Sequence, residues 1–108
     1  MKVDHLDRMV RGWFVGDFEP TLYRTGDVEV AVKHYQAGDS EELHHHAIAT
    51  ELTVIVTGTA RMAGRDIGPG EIVVLNPGEA SDFTALTDVT AVAVKIPGAK
   101  DDKYVHDA

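Results

Sequence analysis

The sequence predicts a small all-β fold, an antiparallel barrel or sandwich with little or no helix, and three observations carry that prediction. Short apolar runs rich in Val, Ile and Thr recur along the chain, as half-buried strands require. Gly, Pro and Asp separate these runs at the close intervals of tight turns. Helical periodicity is almost absent. A length of 108 residues suits one domain, 1–108, with a strand-rich core over roughly 20–97 and flanking terminal segments.

The elements follow in order. Residues 4–10 hold the one helical candidate, a short one, with Leu6, Met9 and Val10 at helical spacing behind a capping Asp4. Trp13, Phe14 and Phe18 follow as core or interface packing. Residues 28–35 read as a strand whose Val28, Val30 and Val32 share a face. Residues 51–57 form the next clear run, closed by Gly58. Residues 59–67 read as a hairpin turning near Ala63-Gly64-Arg65. Gly68-Pro69-Gly70 breaks the chain before a strand over 71–75, and Asn76-Pro77-Gly78 is another turn. Residues 81–86 and 89–96 make a last pair around Thr87-Asp88. The charged 100–103 stretch is expected to be solvated or to lie over the barrel surface.

Charge and composition narrow the partners. Eighteen acidic against ten basic residues give a net charge of −8, which repels phosphate backbones and anionic lipid headgroups. Nucleic acid and membrane surfaces are therefore excluded as expected partners. The absence of cysteine removes disulfides, thiolate zinc sites and cysteine nucleophiles. Acidic residues interrupt the first seven positions and no segment approaches transmembrane length, so a cytoplasmic protein is expected. Residues 52–56 and 89–94 are apolar or small on both strand faces. One face can line an interior; the other needs cover, which predicts a homodimer.

The informative segment is 38–51. On a strand His44 and His46 project to one side and His45 to the other, and Glu51 follows after room for a turn. Two imidazoles and one carboxylate make a nitrogen-and-oxygen set suited to iron, manganese, nickel, cobalt or zinc. Spacing alone leaves a solvated histidine run open as the alternative.

Gly38, His44, His46, Glu51 and Gly58 also fill every position of a known pattern: glycine, His-x-His, glutamate and glycine at the spacing of the first motif of the cupin superfamily. The chain resembles that family, which implies an antiparallel jelly-roll barrel with the two histidines and the glutamate holding a divalent Fe, Mn, Ni or Zn ion inside. The second cupin motif is degenerate here. Gly70 and Gly78 match, Asn76 stands at the proline position, and Ser81 stands where the family has its remaining metal-binding histidine. Three arrangements follow: an open three-ligand site, a fourth ligand from Asp82 turned inward by a bulge, or a metal-free pocket.

His34 shares parity with Val28, Val30 and Val32, so an inward-facing Val28 row would bring it to the pocket mouth as a general base. The competing reading is a half-exposed, hydrogen-bonded histidine. Phe83 is expected inside as core, Tyr23 and Tyr35 have no fixed direction, and Glu41 and Glu42 read as solvation. His5 and His106 are expected to be solvated. The resemblance implies a metal-dependent enzyme on a small polar molecule, dioxygenase-like or isomerase-like. The alternative is a non-catalytic sensor or carrier of a small ligand.

Overall fold

The computed structural model describes residues 1–106 and contains ten strands. They are β1 (Trp13–Val15), β2 (Glu29–Tyr35), β3 (Ser40–His46), β4 (Thr50–Thr57), β5 (Ala60–Met62), β6 (Arg65–Ile67), β7 (Ile72–Leu75), β8 (Ala80–Ala85), β9 (Val89–Ile96) and β10 (Lys103–Val105). The helical candidate near the start is only two 3-10 turns, Leu6–Arg8 and Val10–Gly12. No helix among the described residues is long and apolar enough to cross a membrane.

Two five-stranded antiparallel sheets face each other, in the orders β1-β2-β9-β4-β7 and β10-β3-β8-β5-β6. Consecutive strands 3 and 4 lie in opposite sheets, so the chain crosses the barrel between His46 and Thr50. The turns rely on glycine where the backbone demands it. Gly58 has φ 84°, and a Cβ there would lie 2.0 Å from the Asp88 carbonyl oxygen.

The interior is apolar at one end. Ile55, Ala60, Met62, Ile67, Phe83, Ala85, Val89 and Ala91 form a continuous buried cluster, joined at its edge by Tyr35, Val73 and Leu75. Phe83 is core as expected, with the Tyr35 ring packed on it at 4.4 Å between centroids.

The valine face of β2 corrects the sequence reading. Ala31 is fully buried on the inner face, with Lys33 and Tyr35 on the same parity, so Val30, Val32 and His34 face outward. Cross-strand register then sets two aliphatic rows on the outside of this sheet: Val30, Val94, Leu52 and Val74 in one, Val32, Val92, Val54 and Ile72 in the other. Ile72 and Val74 remain 60% and 48% exposed.

The terminal segments lie closer to the barrel than their composition suggests. β1 pairs with β2, and β10 pairs with β3, both outside the 20–97 span read from the sequence. Asp102, within the charged stretch, is buried at 4% exposure rather than solvated.

Candidate metal centre

His44 and His46 come from the end of β3 and Glu51 from the start of β4. One ligand atom from each residue lies within 4.8 Å of the others. The strand alternation that predicted this has a local complication. The β3–β8 ladder is regular over His44↔Ser81 and His45↔Ala80 but shifts between Glu41 and His44. That bulge turns both Glu41 and His44 inward, though three residues apart on an uninterrupted strand would face opposite sides.

Backbone carbonyls orient both rings. His44 Nδ1 lies 2.8 Å from the Glu42 carbonyl oxygen, and His46 Nδ1 lies 3.1 Å from the Asp102 carbonyl oxygen. A carbonyl can only accept, so each Nδ1 carries the proton and donates. When the ring is neutral, Nε2 is left as the lone-pair nitrogen, the state a metal ligand needs. The rings stand nearly perpendicular, 86° apart, with centroids 5.3 Å from each other.

Glu51 Oε2 lies 2.8 Å from His46 Nε2, and the two side chains are only 17% and 6% exposed. Despite that distance the pair lacks hydrogen-bond geometry, and both atoms are buried without a hydrogen-bond partner among the described residues. In the neutral ring with its proton on Nδ1, the Nε2 lone pair meets a carboxylate lone pair. A cation between them satisfies both atoms, so these residues fit a divalent metal. Burial pushes the Glu51 carboxyl up, but positive charge facing it, on a protonated His46 first and then on Lys95 and His44, outweighs that and holds it below its ordinary value.

The remaining sequence candidates separate. Ser81 is 2% exposed and is the cross-strand neighbour of His44, so a neutral hydroxyl stands beside the cluster. That hydroxyl donates to the Asp82 carbonyl oxygen at 2.7 Å. Asp82 corrects the bulge reading. Alternation continues unbroken through β8, which leaves Asp82 exposed, with its carboxylate accepting from the Ala63 N–H at 2.9 Å. His34 is likewise exposed on the outer face, with Nδ1 3.1 Å from Thr90 Oγ1, because the β2 row it belongs to faces outward. His45 points outward as predicted, and its Nδ1 lies 2.7 Å from His106 Nε2.

Three residues near the cluster were not read from the sequence as a group. Lys33, Tyr35 and Glu41 border the cavity of about 20 Å³ that His44, Glu51 and Ser81 line. Lys33 Nζ lies 3.3 Å from Glu41 Oε1. Burial, with Glu41 and Glu51 nearby, pushes the Tyr35 phenol well above its ordinary value and keeps it protonated. Inner-face parity on β2 could have found Lys33 and Tyr35 had the valine row not drawn the reading to the other face.

No family model matches the sequence, and no curated protein matches it. Solved structures do. An uncharacterized conserved protein with a double-stranded β-helix domain from Klebsiella pneumoniae is 19% identical, with a TM-score of 0.74 over 99% of this chain and 93% of that one. KdgF from Halomonas sp. is 21% identical, with a TM-score of 0.64 over 71% of this chain and 74% of that one. Oxalate decarboxylase from Bacillus subtilis, a protein with Mn(II) centres, is 21% identical, with a TM-score of 0.65 over 74% of this chain but only 24% of its own. The strand order, the inward histidines and these likenesses agree on one architecture: the chain has the cupin fold, a double-stranded β-helix.

Proposed function

We propose that this chain is a metal-dependent cupin enzyme acting on a small polar molecule, with His44, His46 and Glu51 as the metal ligands. The observation that carries the reading is the buried, unpartnered pair of His46 Nε2 and Glu51 Oε2. A divalent ion bound there supplies a Lewis acid with positions open to a ligand. The chain's own residues hold the rings in one tautomer through the Glu42 and Asp102 carbonyls and exclude bulk water with Phe83, Leu75 and Met62. Tyr35, held protonated, offers a hydroxyl proton at the edge of the same cavity. Iron, manganese, nickel and zinc all suit the donor set, and the Mn(II) centres of oxalate decarboxylase favour testing manganese first. The cysteine-free composition suits a cytoplasmic setting.

The test is elemental analysis of untagged protein purified without chelator or metal resin. About one ion per chain is expected, together with a melting temperature that falls when the ion is removed. No ion, even after reconstitution with each of the four metals, overturns the metal reading and leaves a metal-free small-ligand carrier.

We also propose that a second copy covers the outer aliphatic rows of the β2-β9-β4-β7 sheet. Eight aliphatic side chains stand in two contiguous rows, six half-buried and Ile72 and Val74 exposed, and such a continuous outer apolar face is what a partner subunit covers. Wild-type protein is expected to elute as a dimer with its mass confirmed by light scattering, and Val54→Asp as a folded monomer. A monomeric wild type rules the dimer out.

A further inference from the structure

The cavity beside the triad is about 20 Å³, room for roughly one water and for no organic molecule. A second cavity of about 330 Å³ lies against it, covered by Leu6, Asp7 and Arg11 of the N-terminal segment. Lys33, Tyr35 and Glu41 border both, so they form the partition between them. The partition has one ionic link, Lys33 Nζ to Glu41 Oε1 at 3.3 Å, with side chains 17% and 33% exposed.

A molecule passing from the outer cavity to the triad has to open this link. A neutral molecule would leave a half-buried ammonium and a carboxylate without partners, a costly state. An anionic one replaces one carboxylate on Lys33 with another, so the ammonium stays paired throughout and only the Glu41 carboxylate, already 33% exposed, is released toward water. Glu41 is the less buried member of the pair. It is the last paired position (with Phe83) before the β3–β8 register shift, whereas Lys33 lies inside the regular β2–β9 ladder and packs its Nζ 5.1 Å from the Trp13 ring centre. The outer cavity also holds a cation to receive the anion, since Arg11 makes no ion pair among the described residues.

We propose that Lys33 is the receptor for the carboxylate of a small anionic ligand, which reaches the triad by displacing Glu41 from it. This names the substrate class for the metal-centre reading and rests on that reading only for what lies beyond the partition. Lys33 is thus a specificity-determining residue and Glu41 an internal competitor.

Calorimetric titration with glycolate and succinate, each against its neutral amide, tests the proposal on metal-free and manganese-loaded protein. Trp13, the only tryptophan, reports the location by its emission. Both acids are expected to bind at least about tenfold more tightly than their amides. Lys33→Met is expected to abolish that preference, Lys33→Arg to restore it, and Glu41→Gln to tighten acid binding several-fold. The opposite signs of the Lys33→Met and Glu41→Gln effects separate a receptor from a merely structural ion pair, whose loss would weaken both variants alike. Equal binding of acids and amides overturns the proposal, as does weaker acid binding by Glu41→Gln. Acid preference in a protein that takes up no metal sinks the metal centre but keeps the receptor; metal uptake without acid preference does the reverse.

Discussion

Replacing His46 with alanine is expected to weaken binding of a divalent cation by more than about a hundredfold while the barrel stays folded. Loss of an outer hydrogen-bond partner of a metal ligand already costs about ten- to a hundredfold, and losing the ligand costs more. His46 is the most buried of the three, at 5% exposure, and faces Glu51 directly. Its removal leaves that carboxylate buried with only His44 as a companion donor. The barrel survives because the apolar cluster around Ile55 and Phe83 does not include His46. Metal titration of the chelator-treated variant, beside a far-ultraviolet circular dichroism spectrum, checks both halves. His34→Ala, on the outer face, is the control. Unchanged affinity in the His46 variant places the ion elsewhere, and an unfolded variant makes the histidine structural.

The second large effect is expected at Asp102. Its carboxylate accepts from the backbone N–H groups of Ala47 (3.0 Å), Ile48 (3.1 Å) and Ala49 (2.9 Å), the crossing that links β3 to β4. Asp102→Ala strands three donors at once, so a loss of about 2 to 5 kcal/mol is expected, seen as a melting temperature lower by about 10 °C or more. The same substitution frees the carbonyl that fixes His46, and metal affinity should fall by about tenfold or more. Burial pushes the Asp102 carboxyl up, yet the N–H groups of Ala49, Ile48 and Ala47 more than offset that and hold it below its ordinary value. A carboxyl depressed in the fold stabilises fully above about pH 4 and loses that contribution as pH falls through the lowered value. Wild-type stability should therefore drop on acidification through that window, and the alanine variant should show a shallower drop. Melting curves from pH 6 to 3 read the difference; parallel curves would show that the carboxylate is not what holds the crossing.

How much of this was legible in the sequence divides by the range of the signal. Strand positions and turns depend on local composition, and 89–96 matches β9 to the residue. The His44, His46 and Glu51 grouping was legible because alternation on β3 is regular where the two histidines lie. It fails three residues earlier. The bulge sets Glu41 on the same side as His44, and no residue in 40–46 announces it, so the inward carboxylate was read as solvation. The inner face of β2 was misread for a different reason. Valine at alternate positions signals burial, but an outer sheet face with aliphatic neighbours gives the same pattern as an inner one. The true inner row carries a small Ala31 and a charged Lys33, neither of which has the bulky apolar side chain that marks a core strand. Asp102 was beyond local reading altogether, since its partners lie more than fifty positions away.

Three consecutive histidines on one strand end up at two addresses. His44 and His46 open inward, while His45 stands on the outside, stacked on Tyr104 and with Nδ1 2.7 Å from His106 Nε2. Two imidazoles that close, His45 half-buried and His106 exposed, are also the kind of pair an immobilised nickel column can grip without any added tag. A total metal count made after such a column sums the exterior pair with the interior, whereas a count on His45→Ala protein reports the interior alone.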